Sequence, residues 1–430
     1  MAAQIHVLHP RPEPLCGFLR VGHTGHRKLE ALHVAGRFPY RRVVFDAAHI
    51  AEQQELLKML RTSGCEIVLD PNFGEMSMVG RFKSAVARLP WANPERPWEP
   101  SDFARGRNLD VPKLIAEFAV KHSVNVVLAP THFLELTDLS WRAVDLSTCE
   151  ALRHSLDQVG GEHIAVDYQL ITTNALLKDE AGRTELIDGV GSLPIDNVWL
   201  RTSGFGATST GVGTRLFIEA VRHLHQLGRP LIADGVGGFS GLATAAFGAI
   251  GGISHGVAQR EGFDANDWKK PSQRNGGGTA TRVYLPELDR YLTANQLSVL
   301  FNARGGRSRF GCNDANCCHA GPDDMIENSC AHFITQRFRQ ISDLSAVPEA
   351  RRAEQFLLRH IDPAVRSTRI GAHLKIADEK VETIMKDAKL RLERLRDALA
   401  DLHAVDNAPS RSRPPEFRGG VRSIPVASGL

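Results

Sequence analysis

RVVFDAAHIAEQQELLKMLRTSGCEIVLD, residues 42–70, holds two short β-branched runs, RVVF and EIVLD, separated by a helix-like stretch. The alternation continues to residue 257 through NVVLAP (125–130), HIAVDYQL (163–170), NVWLR (197–201), PLIADG (230–235) and GGISHG (251–256). Strands that alternate with helices argue a parallel sheet. The runs are almost continuously apolar, as strands buried on both faces must be. Between two of them, Leu216, Ile218, Ala220, Val221 and Leu224 recur at helical spacing from Thr214 to Leu227. With IHVL at residues 5–8 counted as the first strand there are eight, which predicts a closed (β/α)8 barrel of the TIM type, an open doubly wound sheet being the rival.

At 430 residues, 42% hydrophobic and 23% charged, the chain has a globular composition with room for one large α/β domain and additions. A formal net charge of +3 excludes a polycationic surface, so an anionic partner must be held by local basic patches. No apolar run approaches the roughly 20 residues of a membrane span. The N-terminus, interrupted by His6, His9 and Arg11, is not a signal peptide, so a cytoplasmic protein without a membrane partner is expected. Four of the seven cysteines fall in one short window, which suits metal binding in a reducing compartment better than a disulfide framework; Cys16, Cys65 and Cys149 read as inert.

The barrel is expected over residues 1–261. Three segments depart from its repeat. Residues 80–110 form an irregular basic insertion with Arg81, Lys83, Arg88, Arg96, Arg105 and Arg107, and its Trp91, Trp98 and Phe103 are candidates to stack or wedge against a substrate. Residues 262–345 hold NGGGT, the basic RGGRSR and the cysteine window, and read as a separately stabilised zinc-binding segment. Residues 346–404 are helical, with Val381, Ile384, Met385, Ala388, Leu392, Leu395 and Leu399 on one core-facing stripe, and residues 405–430 read as a disordered tail.

In such a barrel, side chains at the C-terminal strand ends converge on one mouth. Those ends carry Asp46, Asp70, Thr131, His132, Asp167, Tyr168, Arg201, Asp234 and His255. Charged groups ending apolar strands are costly to bury alone, so a shared polar cavity is expected. Asp70, Asp234, His255 and Arg201 are the catalytic candidates. Phe73, His132, Asp167, Tyr168, Gly235, Gly237, Arg105 and Arg107 are the candidates for substrate binding. GVGG at 235–238, between a strand and a helix, has the form of a phosphate cradle. In GCNDANCCHAGPDDMIENSCAHF, zinc can draw its four ligands from Cys312, Cys317, Cys318, Cys330, His319 and His332, and the set expected is Cys312, Cys317, Cys318 and His332.

Together these pieces resemble the tRNA-guanine transglycosylase superfamily over roughly residues 40–345: VLDPNFGE, VWLRTSGFG, PLIADGVGG and the cysteine window followed by CAHF each look like one of its segments. The resemblance implies a zinc-containing barrel that acts on the N-glycosidic bond of a nucleotide, with Asp70 as the first catalytic aspartate. Where that family carries its nucleophilic aspartate, this chain has Ser254 or His255, and its cysteine spacing differs. A chain that keeps the fold but not the nucleophile is similar to a divergent branch that includes phage-defence DNA glycosylases. The expected activity is therefore excision of a modified base by hydrolysis, leaving an abasic site, with the nucleotide flipped into the barrel mouth. In that reading, Asp70 or Asp234 stabilises the sugar cation, His255 serves as acid or base, and Arg201 contacts a base edge or phosphate. The alternatives are transglycosylase-like base exchange on RNA, an inactive nucleic-acid-binding subunit, and a barrel lyase or aldolase acting on a phosphorylated metabolite.

Overall fold

The structure, a computed structural model, describes residues 15–104, 110–257, 261–270 and 280–407. Eight parallel strands close into a ring: β1 (Cys16–Arg20), β2 (Arg42–Asp46), β3 (Glu66–Asp70), β4 (Val126–Leu128), β5 (Ala165–Thr173), β6 (Val198–Ser203), β7 (Leu231–Asp234) and β8 (Gly252–Gly256), with β8 pairing back onto β1. A two-residue strand, Phe133–Leu134, extends the β4 side against β5. Helices stand between successive strands, so the fold is a (β/α)8 barrel with added C-terminal helices. The first strand differs from the sequence expectation. IHVL lies outside the described residues, and β1 is CGFLR, whose opening Cys and Gly hide it from a β-branched pattern.

Strand alternation divides the side chains into two sets. Facing inward, Cys16, Phe18, Val44, Val68, Val126, Leu128, Trp199 and Ile232 fill the barrel interior as one apolar cluster. Facing outward, residues such as Leu19, Val43, Phe45, Ile67, Leu69 and Leu200 pack under the helices in the main core.

The segment after β8 is an excursion within the last β/α unit. The helix that follows that strand, α1 (Ser329–Ser345), packs against the first strand, closing the outer layer. Before it come a hairpin (Arg282–Leu285 with Arg290–Thr293) and the cysteine window. A boundary at residue 261 or 345 therefore cuts through this unit. The excursion has its own apolar cluster, including Val283, Leu292, Leu297, Phe310, Cys317 and Cys318. Helix α2 (Glu379–Asp406) joins the two bodies: Val381, Met385 and Ala388 enter this cluster, whereas Leu392, Leu395, Leu399 and Leu402 enter the main core. Of the expected tail, residues 408–430 lie outside the described residues. Among the described residues, no helix is long and apolar enough to cross a membrane.

Candidate active site and metal centre

One pleat above the apolar interior, five inward positions turn ionic: Arg20, Asp46, Asp70, Arg201 and Asp234. Arg20 Nη1 donates to Asp46 Oδ1 (2.5 Å) and Asp70 Oδ2 (2.8 Å), and its Nη2 donates to Asp234 Oδ2 (2.8 Å). Arg201 Nη2 donates to Asp70 Oδ2 (3.0 Å) and Asp234 Oδ2 (2.5 Å), and its Nε bonds the latter as well (2.8 Å). The two carboxylates thus share one nitrogen. Their other oxygens are also held: Asp70 Oδ1 accepts from Asn72 N–H (2.8 Å), and Asp234 Oδ1 accepts from Ser254 Oγ (2.7 Å). Burial would push both carboxyls up, but the Arg20 and Arg201 guanidiniums reverse the sign and hold them below the usual carboxylate range. Three carboxylates against two guanidiniums leave this layer with one excess negative charge.

Above it opens a cleft of about 600 Å3, lined by Arg20, Asp46, Arg201, Asp234 and Gly235 from the barrel, by His23, His49, Asn72 and Glu75 from the loops, by Arg81 and Ser84 from the insertion, and by Phe263, Asp264 and Trp268. The 261–270 segment is tied down at Gly80, whose N–H donates to Trp268 carbonyl (2.9 Å). A Cβ at Gly80 would lie 2.2 Å from the Lys270 carbonyl, so only glycine permits this approach.

Several sequence candidates sit elsewhere. His255 faces outward, between Tyr40 and Phe333, because Ser254 takes the inward position beside Asp234. Its Nε2 accepts from Tyr40 OH (2.7 Å) and its Nδ1 donates to Gly256 carbonyl (2.9 Å). Burial pushes its pKa down to about 3, so it stays neutral and out of reach of a substrate. Tyr168 likewise faces the outer core. Asp167 points inward but lies deeper, taking hydrogen bonds from Asn197 and Trp199 Nε1. His132 bonds Asp145 (2.6 Å) and stacks on Trp141 with centroids 3.5 Å apart, behind Phe73 and Phe103. Arg201 is engaged by carboxylates instead of a base edge. Trp91 and Trp98 are buried beneath the insertion, donating to Pro71 and Trp91 carbonyls, and Phe103 packs on Phe73, Trp98 and Trp141. None of these three is presented to the cleft. Arg105 and Arg107 lie outside the described residues.

The GVGG cradle is filled from within. The helix it opens (Gly238–Ala246) receives the Asp289 carboxylate at Phe239 N–H (2.8 Å). A Cβ at Gly237 would lie 2.2 Å from Glu261 Cβ, so this glycine admits a side chain of the protein itself. Asp289 also pairs with Arg391 (3.1 Å), and Glu261 with Arg337 (2.8 Å). An anion-binding helix end occupied by a buried carboxylate has no place for phosphate. Gly235 does line the cleft.

The sequence reading missed Arg20, because it missed β1. It also passed over His23, His49 and Glu75, which lie on loops that no strand-end rule selects.

Cys312, Cys317, Cys318 and His332 converge, with their ligand atoms all within 4.8 Å of one another. His332 Nδ1 is 3.4 Å from the sulfurs of both Cys317 and Cys318, which are 3.9 Å apart. Tetrahedral zinc, with bonds of about 2.3 Å to sulfur and about 2.05 Å to nitrogen, needs separations near 3.8 and 3.5 Å. The His332 Nε2–H donates to Tyr284 carbonyl (3.0 Å), which leaves Nδ1 to face the metal. The cluster can hold a metal ion, and none of its residues lines the cleft.

No protein-family model matches the chain, and no curated protein matches it. Solved structures similar to it include KGPDC from Streptococcus mutans, at 12% identity and a TM-score of 0.32, covering 60% of this chain and 95% of that one. A ligand complex of the same enzyme aligns at 12% identity and a TM-score of 0.32, over 59% and 96%.

Proposed function

We propose that this protein is a DNA glycosylase that excises a modified base by hydrolysing its N-glycosidic bond, leaving an abasic site. The observation that carries the reading is the excess negative charge of the Asp46, Asp70, Asp234, Arg20 and Arg201 layer beneath the cleft. Breaking the bond between base and sugar builds positive charge on the sugar, and fixed carboxylates that need no reorganisation stabilise it in a site sheltered from water. Asp70 and Asp234 are the groups for this task. Arg20 and Arg201 orient them and keep them ionised, which is a positioning role. The cleft is large enough for one flipped nucleotide, and a base inside a duplex is otherwise unreachable. Asp289 in the GVGG cradle argues against the lyase or aldolase alternative, which needs that cradle for a substrate phosphate.

The resemblance of VLDPNFGE, VWLRTSGFG and PLIADGVGG to the tRNA-guanine transglycosylase superfamily supports the same bond as target, and a role in phage defence rests on that resemblance alone. The cysteine–histidine cluster is proposed as a structural zinc site in which the metal ties the Cys312–Cys318 turn to α1. The donor set, three thiolates and one imidazole, fits zinc in a reducing, cytoplasmic setting. The test is mass spectrometry of bases released from DNA with and without base modifications and from tRNA. Release of free base from modified DNA is expected. Incorporation of a replacement base into RNA would favour exchange, and binding without release would favour an inactive subunit.

A further inference from the structure

We propose that Glu75 is the acid that delivers a proton to the departing base. The inference deepens the glycosylase reading and rests on it. Glu75 lies on the short helix Phe73–Met76 that leaves β3 directly after Asp70. The turn between them is fixed: Asn72 adopts a left-handed conformation (φ 55°), its N–H binds Asp70 Oδ1, and its Oδ1 accepts from Ala48 N–H (3.2 Å). Both carboxyls are therefore held by one rigid bend, and Glu75 opens on the same cleft as Asp46, Asp234 and Arg201.

Its surroundings differ from theirs. Asp70 and Asp234 each contact two guanidiniums, whereas Glu75 pairs with the single Arg81 of the insertion, Nε to Oε2 at 3.0 Å. Its side chain is 15% exposed, sheltered yet reachable from the cleft. The charged groups near it are Asp46 from β2, Asp70 from β3, Arg201 from β6 and Arg81 from the insertion; His23, His49, Asp264 and Asp267 complete the ionisable lining. Burial raises the Glu75 pKa, Arg81 and Arg201 oppose this, and Asp46 and Asp70 reinforce it, with a net upward shift. One site thus holds carboxyls of two kinds, a pair kept ionised and a third that retains its proton to higher pH. Acid and electrostatic stabiliser divide in this way where environments push like groups apart.

In the step, the bond between C1′ and the base nitrogen breaks and its electron pair leaves with the base, which takes the Glu75 proton. The sugar cation forms over Asp70 and Asp234. Water then adds its oxygen to C1′, and the proton it gives up restores Glu75 to the acid form. Nothing is oxidised or reduced.

The experiment is the pH dependence of single-turnover base release by the full chain carrying Glu75→Gln, on the modified DNA that the wild type cleaves. Removing a general acid should lower the rate by about 100-fold or more and abolish the decline at alkaline pH, with nucleic-acid affinity unchanged. Arg81→Gln, which removes the group that lowers the Glu75 pKa, should move the alkaline decline to higher pH, and it serves as the test if Glu75→Gln does not fold. A Glu75→Gln protein with the wild-type rate and profile, or an Arg81→Gln protein with an unmoved alkaline limb, overturns the assignment while leaving the glycosylase reading intact. A wild type that releases no base overturns both.

Discussion

Phe18 and Arg20, Val44 and Asp46, Val68 and Asp70, Trp199 and Arg201, and Ile232 and Asp234 each differ by one pleat, and that step separates a sealed apolar interior from an ionic floor. Because every strand makes the change at the same level, the charges meet and neutralise one another. Asp70, Arg201 and Asp234 were legible in the sequence for this reason: each is a charged residue ending an apolar run. His255 was misread for a related reason, since a one-residue step along a strand turns a side chain to the opposite face, and Ser254 holds the inward place. The outward His255 is a structural histidine with a measurable consequence. Its folded pKa, about 3, lies below the ordinary value of 6.5, so the neutral form contributes its full stability above pH 6.5 and loses it as pH falls through that window. Between pH 6.5 and about 4.5, one proton of linkage amounts to roughly 2 kcal/mol at most. Urea denaturation of the wild type should show this loss, and a Tyr40→Phe/His255→Leu double variant should show a shallower one while still releasing base. Identical pH dependence in the two proteins would contradict the buried neutral state.

At the level of elements, the cysteine window is the best example of local information. Three cysteines close in sequence and a histidine on the following helix form a tetrahedral set without help from the barrel. The choice of His332 over Cys330 or His319 depends on helix phase: α1 turns His332 toward Cys317 while Cys330 faces the Lys28 side. The small cluster around Val283, Leu292 and Phe310 is a modest core for a separate body, so the metal should contribute much of its stability. Purified protein is expected to contain about one zinc per chain. Cys317→Ser or chelation should lower the melting temperature and solubility together, and metal-free protein with an unchanged melt would remove the structural role. Other elements were less legible. The GVGG turn looked like a phosphate cradle because nothing in its own sequence announces Asp289, about 50 residues later, as its cap. The Trp and Phe residues of the insertion looked available for stacking, yet Trp91 and Trp98 are buried and donate their indole N–H groups to the backbone.

Across the whole molecule, α2 and the Asp289–Arg391 contact bind the metal-bearing excursion to the barrel that carries the cleft, so the excursion braces the active face without entering it. The barrel as a class was readable from seven apolar runs, whereas its closing strand was not, because CGFLR lacks the β-branched signature. A net charge of only +3 leaves nucleic-acid binding to local basic groups, with the described arginines of the insertion largely engaged: Arg96 pairs with Asp102, Arg88 with Glu52 and Arg81 with Glu75. If six or more phosphates are contacted, affinity for DNA should fall by about 1,000-fold between 50 and 200 mM salt, and a flat response would exclude a backbone clamp. The claim on which the rest depends is that the Asp70 and Asp234 charge drives cleavage of the N-glycosidic bond. Its most direct test is the amount of free base and abasic site formed per protein on modified DNA, with wild type and Asp70→Asn compared in a single turnover. The account predicts equimolar base and abasic site from the wild type and a loss of about 100-fold or more in the variant. Full activity of Asp70→Asn would contradict it.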